Sequence, residues 1–144
     1  MDAIDRLNAK LDGMVILKAI EVDILEDGSL DLPDDVLKDL DFTVCSVHST
    51  FKLSWRKQTE RMIRAMDNPY CTILGHPTGR LIQKREPYDV DMECLMEAAR
   101  EHGCFLELNV VGLQMSCYPW RGVWLLKDSQ NEIERSHCET RARG

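Results

Sequence analysis

The sequence predicts an α/β protein built on a mostly parallel sheet. Four short apolar runs rich in β-branched residues alternate with segments whose apolar residues recur at helical spacing. Residues that commonly begin helices, such as Ser54 and Asp89, stand between an apolar run and the helical segment after it. This alternation is typical of consecutive β-α units, in which helices connect parallel strands. No internal repeat or low-complexity linker interrupts the first 110 residues.

The first elements are a helix and a strand. A polar segment over residues 2–11 carries one apolar stripe at helical spacing and is ended by Gly13. Residues 15–25 then alternate between apolar and polar side chains, which predicts a strand with acidic residues near its far end. The Asp-Gly turn within residues 26–29 can close a small hairpin after that strand.

The later elements follow from proline, serine and aspartate at helix starts and from apolar runs between the helices. In order, we expect a short helix over 33–40, a strand over 42–48, a helix capped by Ser54 and running to about 67, a strand over 71–76, a helix capped by Asp89 and running to about 102, and a strand over 105–110.

Beyond residue 110 the pattern decays. Trp120 and Trp124 lie in an irregular stretch, and a polar run over 127–144 follows them. The sequence therefore predicts two regions, an α/β domain over 1–109 and a divergent, poorly ordered tail over 110–144.

Composition excludes several classes of protein. The net charge of −7 argues against a broad cationic face for nucleic acid, although it leaves room for a local basic patch. No apolar stretch approaches the roughly 20 residues of a membrane span, and the N-terminus lacks the layout of a signal peptide. We therefore expect a cytoplasmic protein without a membrane partner. Cys45 and Cys71 lie in apolar runs, where a free thiol usually behaves as a small buried hydrophobe.

Polar side chains stand at the ends of three predicted strands. Glu21 and Asp23 lie near the end of the first strand, His48 closes the second, and His76 closes the third. Parallel strands bring these ends to one edge of the sheet, so a carboxylate and two imidazoles meet there, which are ligands for Zn²⁺ or Mn²⁺. Taken singly, a histidine at a strand end is more often a satisfied polar residue than a metal ligand, and Glu21 by itself can be only a solvated acid.

The loop after the third strand has further features. Pro77 favours extended backbone geometry at the histidine before it, and Gly75 and Gly79 would allow the backbone to approach a ligand closely. Arg80 begins a small basic cluster with Lys84 and Arg85, which can contact a phosphate or simply form a solvated loop.

Four segments carry a resemblance to a known family. They are Ile-Glu-Val-Asp-Ile-Leu-Glu-Asp-Gly-Ser-Leu-Asp at 20–31, Ser-Val-His-Ser at 46–49, Asn-Pro-Tyr at 68–70 and Ile-Leu-Gly-His-Pro-Thr-Gly-Arg at 73–80. Over about residues 1–109 the chain resembles the polymerase-and-histidinol-phosphatase (PHP) family, and within it the C-terminal PHP domain of bacterial family X DNA polymerases.

The resemblance implies a fold and a function. The fold would be a distorted, TIM-like β/α barrel, of which this chain supplies about four parallel strands with their helices. The activity would be metal-dependent phosphoester hydrolysis, and in polymerase-linked members 3′-5′ exonuclease action on DNA 3′ ends during repair. Glu21 would be shared between two metal ions of a cluster of up to three, Mn²⁺ or Zn²⁺, with His48 and His76 as imidazole ligands. Clustered divalent ions activate water and stabilise charge on phosphate oxygens.

The chain also departs from the family pattern. The opening His-x-His motif and a further histidine are missing, and Ser136-His137-Cys138 lacks the aspartate of the closing Asp-x-His motif. Similarity stops after Asn109, so we expect a truncated fragment with a junction near residue 110 and an incomplete metal cluster. The alternative to a working phosphoesterase is a catalytically incompetent fragment that acts as a structural module and self-associates through unclosed barrel edges.

Overall fold

The computed structural model describes residues 2–80 and 86–107. They form a parallel four-stranded sheet in the order β1-β2-β3-β4, with helices between the strands. The elements are α1 Asp2–Asn8, β1 Ala19–Asp23, α2 Asp34–Leu37, β2 Phe42–Ser46, α3 Trp55–Met66, β3 Ile73–Leu74, α4 Met92–His102 and β4 Phe105–Leu106. The α/β class and the parallel sheet are thus confirmed, whereas closure into a barrel stays a prediction. The predicted tail over 110–144 lies outside the described residues.

The register of the sheet aligns the ends of its strands. Asp23 at the end of β1 pairs with Ser46 at the end of β2, and Cys45 pairs with Leu74 at the end of β3. Because neighbouring strands are parallel, the loops that follow them all leave from the same edge. This edge collects the polar side chains that the sequence places at strand ends.

The core lies between the sheet and the helices that cross it. Its buried side chains include Val22, Cys45 and Leu74 from the strands, and Met62, Met66, Leu95, Ala98 and Ala99 from α3 and α4. Cys45 and Cys71 are buried free thiols, as predicted. The sulfur of Cys104 lies 3.9 Å from the sulfur of Cys71. The hydrogen bond between these thiols and the burial of Cys71 both raise the pKa of Cys71, so the Cys71 thiol stays protonated.

Helix ends were predicted with mixed success. Ser54 caps α3 as expected, because its hydroxyl accepts the Lys57 N–H. Gly103 ends α4 with a φ of 69°, the left-handed geometry that favours glycine. The predicted cap Asp89 is wrong, since the Asp91 carboxylate accepts the N–H of Cys94 at 3.1 Å. The backbone N–H of Asp91 also donates to a threonine hydroxyl of α3 at 2.9 Å, a tertiary bond that fixes where α4 begins.

The strands are shorter than their apolar patterns suggest. The predicted strand over 15–25 begins only at Ala19, where pairing with Phe42 starts. Residues before it have no strand partner among the described residues, and Val15 is 71% exposed. The amide side chain of Asn8 instead bonds the backbone N–H and C=O of Ile16, at 2.8 and 2.9 Å. A strand needs a neighbour for its hydrogen bonds, so an apolar pattern alone cannot fix its length.

The predicted hairpin after β1 is confirmed. Ile24 and Leu30 form an antiparallel bridge, and the N–H of Leu25 donates to the C=O of Ser29 at 2.8 Å.

None of the helices in the described part of the chain is long and apolar enough to cross a membrane.

Candidate metal centre

Three side chains from three neighbouring strand ends meet at one edge of the sheet. Glu21 lies in β1, His48 lies two residues after β2, and His76 lies two residues after β3. One oxygen of Glu21, Oε1, lies 3.1 Å from Nε2 of His48 and 3.2 Å from Nε2 of His76. The two imidazole centroids are 5.3 Å apart, with their planes tilted by 47°. These three residues are called the candidate metal centre below.

The donor atoms of this centre fit a divalent cation. One oxygen of Glu21 and one ring nitrogen from each of His48 and His76 lie within 4.8 Å of one another. A tetrahedral ion with bonds of about 2.0–2.1 Å separates neighbouring ligand atoms by about 3.3–3.4 Å, close to the two carboxylate-imidazole distances. Two imidazoles and a carboxylate are also the mixed ligands that Zn²⁺ and Mn²⁺ accept. The residues present can therefore hold one ion.

The charge of Glu21 suits that role. Partial burial would raise the pKa of Glu21, but the Ser46 hydroxyl and the imidazoles of His76 and His48 lower it more, so the pKa falls below its ordinary value. The carboxylate is therefore ionised at neutral pH. The Glu21 and His48 side chains are about half exposed while His76 is buried, so the centre opens to solvent on one side.

The backbone at His76 is unusual. Its φ is 28°, in the left-handed region that non-glycine residues seldom adopt, so the extended geometry expected before Pro77 is wrong. The backbone N–H of His76 donates to Oε2 of Glu107 at 2.8 Å, and this bond ties the loop to the residue that follows β4. Sequence reasoning missed Glu107, because its position after the last strand gave no sign of a partner 31 residues earlier.

The two glycines that flank His76 serve packing within the protein. A Cβ on Gly75 would lie 2.3 Å from Oγ of Ser46, and one on Gly79 would lie 2.2 Å from the Tyr88 ring. Gly79 also has a φ of 57°, which disfavours other residues. Atoms of the protein itself therefore occupy the space beside both glycines. These positions require glycine because of this close packing, and the expected approach of a ligand is not needed to explain them.

The structure also locates the remaining predicted site residue. Arg80 is exposed and follows His76 by four residues along the chain, so it lies in the loop that leaves the same edge of the sheet. Its cluster partners Lys84 and Arg85 lie outside the described residues. A phosphate contact by Arg80 stays a prediction.

A second acid, Asp23, is the last residue of β1. The structure gives Asp23 a specific partner, because its carboxylate bonds Nδ1 of His48. The signal for this contact was the spacing, since residues 21 and 23 of a strand point to the same side.

Comparison with known proteins gives relatives over most of the chain. The sequence is 44% identical over 106 residues to the DNA polymerase/3'-5' exonuclease PolX of Bacillus subtilis (strain 168). The matched region covers 74% of this chain and 19% of that protein. It is 40% identical over 107 residues to a probable phosphatase of Thermoanaerobacter sp. (strain X514), covering 72% of this chain and 41% of that protein. A probable phosphatase of Caldanaerobacter subterraneus is 39% identical over 104 residues, covering 69% of this chain and 39% of that protein. No model of a protein family matches the sequence. The chain thus spans less than half the length of these curated relatives.

Proposed function

We propose that this chain is a metal-dependent phosphoesterase module of the PHP type. The observation that carries the proposal is the convergence of two imidazole nitrogens on one carboxylate oxygen of Glu21. The names of the relatives, a polymerase with exonuclease activity and several probable phosphatases, support phosphoester hydrolysis as the chemistry. Zn²⁺ and Mn²⁺ are the ions that suit this mixture of ligands.

The residues of the centre have distinct parts in this chemistry. A divalent ion, when bound, supplies Lewis acidity toward phosphate oxygens and makes water a better nucleophile. Glu21 contributes a full negative charge because its carboxylate is ionised at neutral pH. His48 and His76 bind as neutral imidazoles. The solvent-open side of the centre leaves a phosphoester room to approach.

The finer proposal is 3′-5′ exonuclease action at DNA 3′ ends, with Arg80 as a phosphate contact. An exposed arginine beyond the His76 loop can pair with a phosphate in bidentate fashion. Three protein ligands among the described residues suffice for one ion, whereas multinuclear phosphoester hydrolysis needs more. We therefore propose that the 144-residue chain binds a single ion weakly and degrades DNA slowly.

Metal content tests the coarse proposal. The purified chain and its Glu21→Ala, His48→Ala and His76→Ala variants are dialysed to equilibrium against Zn²⁺ or Mn²⁺, and the excess metal on the protein side is measured by elemental mass spectrometry. The matched control is His102→Ala, because His102 is the last residue of α4 and pairs with Asp67 after α3 and is not one of the three ligands. At saturating metal the wild type and the control should bind about one ion, and the other variants much less. Equal metal content in all five proteins would contradict the centre.

Two substrates separate the coarse proposal from the fine one. Hydrolysis of p-nitrophenyl phosphate tests phosphoesterase chemistry, and shortening of a 5′-labelled DNA oligonucleotide tests the exonuclease. Activity toward the small ester alone would support the module and reject DNA 3′ ends as its substrate. Arg80→Ala should slow DNA degradation without changing metal content, and an unchanged rate would remove Arg80 from the phosphate site.

A second candidate function is that of a self-associating structural module. The edge strand β1 and the segment before it expose several large apolar side chains, namely Met14, Val15, Leu17 and Ile20. Such an exposed apolar surface, beside a strand edge that has no partner within residues 2–80 and 86–107, favours association with another copy. Sedimentation velocity over a range of concentrations tests this, and Val15→Lys should shift the protein toward monomer. A wild-type chain that is monomeric at all concentrations would reject the candidate.

A further inference from the structure

The Asp23 carboxylate contacts one of the two imidazoles of the candidate metal centre from behind. Nδ1 of His48 bonds Oδ1 of Asp23, while Nε2 of the same ring faces Glu21 at 3.1 Å. The ring thus lies between two carboxylates from the same side of β1. Each carboxylate meets a different nitrogen.

The backbone of Asp23 is itself held on both sides. Its pairing with Ser46 belongs to the β1-β2 ladder. Its N–H donates to the side chain of Asp31 at 3.1 Å, and its C=O accepts the N–H of Asp31 at 3.0 Å. The hairpin after β1 therefore fixes the residue from which the carboxylate extends, so the contact with His48 starts from a defined position.

A carboxylate oxygen accepts hydrogen bonds, so the contact with Asp23 favours a proton on Nδ1 of His48. When a cation beside Glu21 takes the lone pair of Nε2, the single proton of the neutral ring lies on Nδ1, where Asp23 accepts it. We propose that Asp23 is a positioning residue that fixes the tautomer and orientation of His48, so that Nε2 is presented to a cation in the candidate metal centre. This inference rests on the proposed function, because it concerns the same centre.

His76 shows why His48 needs such a partner. The His76 ring is buried, its Nδ1 makes no hydrogen bond to any residue in the described ranges, and its backbone is tied to Glu107. Packing therefore restrains that ring. The His48 side chain is 41% exposed, so packing alone leaves it rotational freedom that a hydrogen bond must remove. Loss of the Asp23 carboxylate should affect His48 selectively.

The test combines metal affinity with direct observation of the His48 tautomer. Asp23→Val removes the carboxylate while keeping a residue that suits a strand. Asp23→Asn keeps an oxygen that can accept from Nδ1–H and serves as the rescue variant. Asp27→Ala removes the same charge from the neighbouring turn, where the carboxylate contacts Ser29, and serves as the charge control. Zn²⁺ affinity is measured by calorimetry, and ¹⁵N NMR of the metal-free chains reports which nitrogen of His48 is protonated.

The wild type should show His48 protonated on Nδ1. Asp23→Val should lose that preference and bind Zn²⁺ roughly 10–100-fold more weakly, the usual effect of removing a carboxylate behind a metal-bound histidine. Asp23→Asn should lose less affinity than Asp23→Val, and Asp27→Ala should stay within about twofold of the wild type, as expected for a purely electrostatic change at an exposed site.

Two results would overturn the inference. One is an Asp23→Val protein with wild-type affinity for Zn²⁺. The other is a wild-type spectrum in which His48 carries a proton on Nε2 and none on Nδ1, a result that needs no variant and so survives any folding defect. A third result separates this inference from the proposed function. If the wild type binds no Zn²⁺ but loses its Nδ1–H tautomer in the Asp23→Val variant, the proposed function is rejected and Asp23 is still the group that orients His48.

Discussion

Replacing Arg61 with methionine should loosen the edge of the sheet that carries the candidate metal centre. Arg61 lies on α3 and is 1% exposed. Its Nε donates to the C=O of Leu25 at 2.7 Å, Nη1 donates to the C=O of Ser49 at 3.0 Å, and Nη2 donates to the C=O of Ile24. These carbonyls belong to the loops that follow β1 and β2. One buried guanidinium thus joins the two segments that carry Glu21 and His48.

The size of the effect follows from these bonds. Hydrogen bonds from a charged donor contribute about 1.5–3 kcal/mol each. Part of their sum is offset, because methionine avoids the several kcal/mol that desolvating a buried cation costs. Burial does lower the pKa of Arg61, which reflects that cost. We expect a net loss of about 2–4 kcal/mol, a large share of the roughly 5–15 kcal/mol typical of a domain.

Urea denaturation followed by circular dichroism measures this loss. The matched control is Arg64→Met, one turn further along α3, because the exposed Arg64 makes a 3.2 Å bond to the C=O of Asp27 and should change stability by less than about 0.5 kcal/mol. Arg61→Lys should fall between the wild type and Arg61→Met, since an ammonium cannot reach three carbonyls in the planar geometry of a guanidinium. An Arg61→Met protein within 0.5 kcal/mol of the wild type would refute the reasoning.

Three further predictions follow from local geometry. Gly79→Ala should lower the free energy of unfolding by about 2–4 kcal/mol, because its φ is 57° and its new Cβ would strike the Tyr88 ring; an unchanged thermal midpoint would show that this loop yields easily. The pKa of Glu21 is lowered on folding, so its contribution to the stability of the metal-free protein is present above the unfolded value of 4.5 and is lost as pH falls through the folded value. Glu21→Gln should therefore flatten the acid side of a stability-pH curve, and a parallel curve would contradict the shift. Asp91→Ala should cost about 1 kcal/mol in chemical denaturation through loss of the α4 cap, whereas Asp89→Ala should cost little; the reverse order would restore the cap expected from sequence.

Local signals in the sequence were sufficient for the order of the elements. The cap at Ser54 and the stop at Gly103 depend on hydrogen bonds and backbone geometry within a few residues, so the sequence shows them directly. The start of α4 was misplaced because Asp89 and Asp91 are equally good caps in isolation. A bond from the N–H of Asp91 to Thr59 on another helix selects the second. The start of β1 was misplaced for a similar reason, because strand pairing begins where β2 begins.

By itself, the sequence determined the α/β class, the order of helices and strands along the chain and the types of side chain at the strand ends. Parallel pairing then requires those ends to share one edge, which is why Glu21, His48 and His76 could be expected together. Only the tertiary structure decided how that edge is held. The contacts of His48 with Asp23 and of His76 with Glu107 join residues 25 and 31 positions apart, and those of Arg61 with Ile24 span 37. Such contacts depend on the paths of the loops after the strands, and those paths are set by packing across the whole domain and by no local pattern of residues.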